Sequence, residues 1–244
     1  MPTFSTYNLS SLTPNCHTRM RFAGRNLLRC GADLVCLQEI SGSPGFLESF
    51  QQEYLENRYP FLVGPSGNDP RGMNIAVLSR TPIRAWRSLA QHSFPLLDGT
   101  RNSRFSRDLL VLDWDWQGRP WRIYTSHLKS MRGGPTAHRQ RESEAAAIVE
   151  ILEREQSQDP WLLLGDLNDV PESPTLRRFF DSSLDVQNSL QGKPRTETFP
   201  CRGSRRQFDY VLYPGRLADS LVESKAWPES RASDHAMVTA TFNL

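Results

Sequence analysis

Acidic, amide and imidazole side chains in this chain stand where apolar runs begin or end. Leu34-Val35-Cys36-Leu37 leads into Gln38-Glu39, and Trp161-Leu162-Leu163-Leu164 leads into Gly165-Asp166-Leu167-Asn168-Asp169. Ser233-Asp234-His235 stands just ahead of the apolar stretch 236–242. A buried strand that ends in a carboxylate delivers it to the rim of a sheet. Several such strands can gather acids around one hard cation, which prefers oxygen ligands and keeps part of its water shell. That is the equipment of phosphate-ester hydrolysis: a metal to absorb charge, a base to activate water, and a polar group for the leaving oxygen.

The elements that must position these groups follow from the hydrophobic pattern. Strands are expected over 3–9, 32–38, 75–79, 161–165, 208–213 and 236–242. Residues 109–116 alternate, meet the turn Gln117-Gly118-Arg119-Pro120 and return over 121–126, a hairpin signature. Within it Trp114 and Trp116 share one face by the period of two, which makes them core residues. Helices are expected over 19–29, 46–56, 137–155 and 175–180. No GxGxxG follows a strand, which argues against a Rossmann fold. Strands outnumber helices and hairpins mix with them, so antiparallel pairing in an α/β sandwich is expected.

The chain has 244 residues, which suits one α/β domain spanning 1–244. Hydrophobic residues make up 38% and charged residues 23%, the balance of an ordinary globular protein. The net charge of +2 excludes a histone-like nucleic-acid binder, but positive charge is concentrated locally. One basic region runs from Arg101, Arg104 and Arg107 through Lys129, Arg132, Arg139 and Arg141, and a second holds Lys193, Arg195, Arg202, Arg205 and Arg206. Cys16, Cys30, Cys36 and Cys201 form no CxxC pair, which argues against a zinc ribbon; Cys36 reads as a small core residue. No run is long and apolar enough to span a membrane, and the N-terminus lacks signal-peptide character. The expectation is a soluble cytoplasmic monomer without membrane attachment.

In order along the chain, Tyr7-Asn8-Leu9, Leu37-Gln38-Glu39, Ser126-His127-Leu128-Lys129-Ser130, Gly165-Asp166-Leu167-Asn168, Phe208-Asp209-Tyr210-Val211 and Ser233-Asp234-His235 resemble the motifs of the endonuclease/exonuclease/phosphatase superfamily, the DNase I-like fold. Each motif alone is weak; the set in the family's order is specific. The resemblance implies a four-layer α/β sandwich, with two packed mixed or antiparallel β-sheets flanked by helices and the site at one end. It implies Glu39 as the principal metal ligand, with Asn8 beside the metal and Asp234 as a further ligand, direct or through water. Mg²⁺ or Mn²⁺ is the expected ion, with room for Ca²⁺ as a structural ion.

The same resemblance pairs His235 with Asp209 at the scissile phosphate, where the imidazole activates water or, protonated, stabilises the transition state. It places His127 on the phosphate. Phe105-Ser106-Arg107-Asp108 is similar to a segment that carries a phosphate-binding arginine, and Lys129 is expected to assist Arg107. Asn74 falls near the place where some members carry an acid supporting the histidine. From the residues themselves, Asp166 and Asn168 are two apart and on an extended segment face one side, toward one phosphate. Asp166 is then the group that orients or deprotonates the attacking water, and Asp169, facing away, is structural. His17, His92 and His138 have no motif context and read as surface or loop residues.

The leading expectation is a divalent-metal-dependent phosphodiesterase: a nuclease acting on DNA, with RNA as a second candidate substrate, and with limited sequence specificity. Basic loops can track a polyanionic backbone without reading sequence. The alternative is a phosphodiesterase or phosphatase for a lipid headgroup, an inositol phosphate or another small ester, because fold does not determine substrate. A non-catalytic binding protein would be expected to lack Glu39, Asp166 or His235, and all three are present. An abasic-site repair enzyme shares the motifs, but no segment singles it out.

Overall fold

Every strand expected from the apolar runs forms, and two sheets collect them. The computed structural model describes residues 1–155, 159–194, 196–200 and 206–243. The first half contains β1 (Thr3–Leu12), α1 (His17–Cys30), β2 (Leu34–Ser41), α2 (Phe46–Tyr54), β3 (Phe61–Val63), β4 (Met73–Ser79), β5 (Ile83–Ser88), β6 (Ser93–Pro95) and β7 (Asn102–Arg104). The second contains β8 (Leu109–Trp116), β9 (Arg119–His127), α3 (Gly134–Arg154), β10 (Trp161–Asp166), α4 (Pro174–Phe180), β11 (Val186–Asn188), β12 (Asp209–Pro214), β13 (Leu221–Trp227) and β14 (Met237–Phe242).

The first six-stranded sheet has the order β13-β14-β1-β2-β4-β3, and the second β11-β12-β10-β9-β8-β5. Each contains a parallel pair at its centre, β1 with β2 and β9 with β10, among antiparallel neighbours. A parallel pair needs a crossover. Helices α1 and α3 lie in those two connections.

Alternation along the strands builds the layers. Leu110, Leu112 and Trp114 join Phe4, Cys36, Val77, Leu164 and Val238 in the core between the sheets. Leu109 and Val111 point the other way and meet Ile148, Ile151, Leu176 and Phe179 of α3 and α4. On the outer face of the first sheet, Val35 and Leu37 meet Met20, Leu27 and Phe50 of α1 and α2. Strand β10 contributes to both cores of its sheet, which explains its unbroken apolar run. The result is the expected four-layer sandwich. Trp114 is fully buried and Trp116 stacks on it, centroids 5.7 Å apart, so this hairpin turns its tryptophans inward.

The short strands β3, β6, β7 and β11 and the edge strands β5 and β13 lie outside the sequence expectation. Edge strands carry polar and exposed residues on much of their surface, as Arg84, Arg87 and Glu223 do in this fold, which erases the alternation. Helix α3 begins at Gly134 rather than at 137, because Pro135 suits a first helical turn. Among the described residues no helix is long and apolar enough to cross a membrane.

Gly165 shows how tightly this frame is built. It pairs with Ser126 on β9, and a Cβ there would stand 1.9 Å from the Ser126 carbonyl oxygen. Its φ of +154° adds to the requirement for glycine. Gly165→Ala should therefore cost about 3 kcal/mol or more of stability. A urea denaturation midpoint unchanged from the parent would contradict this packing.

Candidate active site

Two central strands break their register at the same rim. The β1–β2 ladder shifts between Asn8 and Leu12, and the β2–β4 ladder shifts between Leu37 and Ile40. Ser10, Ser11 and Glu39 take left-handed φ values of 48°, 60° and 56°. Such conformations are uncommon for non-glycine residues and cluster at functional sites, as do bulges that re-aim side chains. The second sheet supplies the facing groups by register: Asp166 pairs with His127 of β9 on one side and with Asp209 of β12 on the other. The turn ahead of β14 brings in Asp234 and His235, held by Ser233, whose hydroxyl donates to the Asn8 carbonyl at 2.7 Å and accepts from the His235 N–H at 3.0 Å.

Asp166 is the hub. Its Oδ2 accepts from Asn8 Nδ2 at 2.8 Å and from Asn168 Nδ2 at 3.3 Å, and lies 3.4 Å from His127 Nε2 and 3.9 Å from His235 Nε2. The other nitrogen of His235, Nδ1, bonds Asp209 Oδ2 at 2.9 Å. Phe199 covers the His235 ring, centroids 4.5 Å apart, and stacks on Phe208. Around the rim, Glu39 accepts from Ser11 Oγ at 2.8 Å and from Arg71 at 3.0 Å, while Asp234 bonds Ser10 Oγ.

Burial and neighbouring charge set the two imidazoles apart. Burial pushes His127 down to about 3, against the opposing pull of Asp166, so this ring is neutral near pH 7. Burial also disfavours the charged form of His235, but Asp209 and Asp166 outweigh it and raise the group to about 9, so this ring carries a proton. The Asp166 carboxyl is raised by burial, in opposition to His235 and His127.

Asn8, Glu39, Arg107, His127, Asp166, Asn168, Asp234 and His235 all line one cavity of about 650 Å³, and Asp209 stands directly behind His235. Lys129 is not in that lining. Strand β9 ends at His127, the Lys129 N–H turns to Glu144 at 2.7 Å, and its side chain lines a neighbouring groove. Asn168 is not extended: with φ of 53° it folds back, its N–H to Asp166 Oδ1 at 2.9 Å and its amide to the Leu128 carbonyl at 3.0 Å. The turn, rather than the period of two, brings it to the cavity. Asp169 is structural, accepting from Arg141 at 2.8 Å and from Thr175 at 2.8 Å.

Asn74 does not support His127; its side chain accepts from the Gly67 N–H and lines a separate cleft. A further acid whose charge acts on His127 is Asp69, which sequence reasoning misses. Buried Asp69 accepts from Arg71 at 2.8 Å and from Arg107 at 3.3 Å, so one carboxylate pins two guanidiniums that line the cavity. Its carboxyl is lowered to about 2: burial opposes this, but bonds from Arg71 and the charge of Arg107 overcome the penalty. Arg71 escapes the sequence as well. The only local signal is the turn Asn68-Asp69-Pro70-Arg71-Gly72, which composition marks as a loop and nothing more. Arg206 lines the cavity, whereas Arg195, Cys201, Arg202 and Arg205 lie outside the described residues.

The donors offer two places for a cation. Asp166, Asp209 and His235 have ligand atoms within 4.8 Å of one another. Within that group His235 Nδ1 already bonds Asp209, although Asp209 Oδ1 is buried without a partner. Glu39, Asn8 and Asp234 form an oxygen-only set on the same cavity, which suits a hard divalent ion.

Residues 5–235 match the model of the Endonuclease/Exonuclease/phosphatase family. A sequence search of the curated proteins gives no significant match. Among solved structures, an endonuclease/exonuclease/phosphatase from Bacteroides vulgatus superposes with a TM-score of 0.76 at 13% identity, over 100% of this chain and 98% of that one. The human Nocturnin catalytic domain, solved with a sulfate anion, gives 0.73 at 17% identity, over 99% and 94%. Truncated TDP2 from Caenorhabditis elegans gives 0.71 at 17% identity, over 100% and 98%. These are likenesses of fold, and the family match adds the chemistry. The chain belongs to the endonuclease/exonuclease/phosphatase family, whose members are hydrolases of phosphoester bonds that typically use divalent metal ions.

Proposed function

We propose that this chain is a divalent-metal-dependent phosphodiesterase that cuts nucleic acid. The observation that carries the reading is the joining of Asp166, the His235–Asp209 pair and the Glu39, Asn8 and Asp234 oxygens on one cavity whose wall also presents Arg71, Arg107, Arg132 and Arg206. A bound Mg²⁺ or Mn²⁺, held by Glu39 with Asn8 and Asp234, would supply Lewis-acid neutralisation of phosphoryl charge.

The chain's own groups divide the remaining work. Asp166 orients the attacking water and takes its proton; its raised pKa brings it nearer the working pH, which favours a general base. His235, protonated and aimed by Asp209, donates to the phosphoryl group and stabilises the charge that develops there. His127, neutral, hydrogen-bonds the phosphate without adding charge. Asn168 fixes the position of Asp166 through its N–H. Arg107 and Arg71, both anchored on Asp69, grip phosphate oxygens.

The placement of Arg107 inside the cavity and Lys129 outside it sets an expected difference. On one small diester at fixed salt, Arg107→Ala should lower kcat/KM by about tenfold or more, the scale of a hydrogen bond to a charged group. Lys129→Ala should change it by less than about threefold. Equal effects would reduce both residues to a diffuse basic surface.

The reading itself is tested by a substrate panel with Mg²⁺ or Mn²⁺: plasmid, single-stranded DNA, RNA, sphingomyelin and inositol phosphates. Turnover of the nucleic acids is expected. Turnover of only the lipid or inositol substrates would overturn it in favour of a small-ester phosphodiesterase.

A further inference from the structure

A second concave surface adjoins the catalytic cavity. It is a groove of about 520 Å³ lined by Arg101, Arg104, Lys129 and Arg132, with neutral polar groups such as Thr136 and Gln140 between them and no acidic residue among the described lining. The two spaces are contiguous through the chain itself. Arg132 lines both, and neighbours divide between them: Ser106 and Lys129 face the groove, Arg107 and Ser130 the cavity.

The cations of the groove differ from about half of the described arginines. Arg84, Arg139, Arg154 and Arg231 each pair with a carboxylate. Among the described residues, Arg101, Arg104, Lys129 and Arg132 have no ion-pair partner, and Arg104 reaches only the neutral oxygen of Gln91 at 2.6 Å. Four uncompensated cations facing one space set up a local positive potential that attracts a polyanion.

The walls are bolted together beneath the charge. Fully buried Glu144 of α3 accepts from the Ser106 N–H on one wall at 2.7 Å and from the Lys129 N–H on the other at 2.7 Å. Gln140 donates to the Arg104 carbonyl at 2.9 Å and accepts from Ser103 at 2.7 Å. Arg141, also fully buried, donates to the Lys129 carbonyl at 3.2 Å. The polar groups of α3 therefore tie β7 and the segment after it to the loop after β9, Gln140 from a half-buried position and Glu144 and Arg141 from buried ones.

Building on the nucleic-acid reading above, we propose that this groove holds the phosphodiester backbone flanking the scissile phosphate, so that the enzyme engages a nucleic-acid strand on this side of the cut and discriminates against short substrates. Its four cations exceed the charge of a single phosphodiester and match a run of backbone phosphates. Its concave, polar lining suits a strand rather than a bilayer, which would need apolar groups to insert.

The test uses Asp166→Asn protein with fluorescein-labelled oligothymidylates of increasing length, an oligouridylate series as the RNA arm, and several salt concentrations. Affinity should climb with length and then level off once the groove is filled. Arg101→Gln combined with Arg104→Gln should weaken binding of a long oligonucleotide about tenfold or more, and lower the slope of log affinity against log salt by about 1.4, the share of two released single-strand phosphate contacts. In an otherwise active enzyme, the same pair should reduce kcat/KM far more on the long oligonucleotide than on a dinucleotide. Melting temperature and circular dichroism report whether the double variant is folded. If the parent cuts oligonucleotides and the folded double variant binds and cuts every length equally well, the groove assignment alone fails. If the parent hydrolyses bis(p-nitrophenyl) phosphate yet neither binds nor cuts any oligonucleotide, the nucleic-acid reading fails and the groove assignment with it.

Discussion

His235→Ala is expected to lower kcat on a phosphodiester by about a thousandfold, and Asp166→Asn by at least as much, with both proteins folded. The size follows from where these groups sit. His235 is buried and its proton is retained by two carboxylates, one of them bonded to it at 2.9 Å, so its charge is pre-organised before substrate arrives. Asp166 is buried between two imidazoles and two amides; Glu39 and Asp234 are held on the opposite sheet by Ser11 and Ser10, and the neighbouring Asp209 is committed through Oδ2 to His235 Nδ1. Asp209→Asn should cost less, about ten- to a hundredfold, because an amide oxygen still orients the imidazole but no longer balances its charge. The measurement is steady-state kcat at saturating metal, with melting temperature as the folding control. If folded His235→Ala and Asp166→Asn both stay within tenfold of the parent, the assignment of these groups to the reaction is wrong.

Much of this site is legible in the sequence because its residues terminate buried strands. Asp166 follows Leu162 to Leu164, and the Leu34–Leu37 run leads to Glu39; burial on both faces leaves an unbroken apolar run that ends where the rim begins. What fails are the steps that depend on the chain after the strand ends. Proximity in sequence puts Lys129 with His127, but the strand stops at His127, and Glu144, fifteen residues beyond Lys129, decides where Lys129 goes. For Asn168 a left-handed turn replaces the period of two. Asp69 and Arg71 are invisible for a different reason. They sit in a Pro-Gly turn with no apolar run beside them, and their partners Glu39 and Arg107 are 32 and 38 residues away. A bond at that separation is a property of the tertiary fold. The edge strands escape on the same principle, since β5 and β13 satisfy only one neighbour and their sequences carry no strict alternation.

Removal of divalent metal should abolish turnover, and the binding of metal should depend on Glu39 more than on any other single group. Excess EDTA is expected to stop hydrolysis and added Mg²⁺ or Mn²⁺ to restore it. Without metal the Glu39 carboxylate still has Arg71 at 3.0 Å and Ser11 at 2.8 Å, so the apo protein has a partner for this charge and should remain folded. Binding can therefore be read apart from activity. Mn²⁺ at a hundred times its Kd stabilises the folded state by about 2.7 kcal/mol. For a chain of this length that is a rise in Tm of roughly 5–10 °C. The parent and Asp166→Asn should both show the rise, while Glu39→Ala should show little or none at the same concentration. The contrast separates a ligand from a group that acts on the substrate. Asp166 touches Asn8 at 2.8 Å, so a loss of the Mn²⁺ shift in Asp166→Asn as complete as in Glu39→Ala would move Asp166 into the metal site. Undiminished hydrolysis in excess chelator would remove the cation from the reaction, and with it the metal-holding role of Glu39, Asn8 and Asp234.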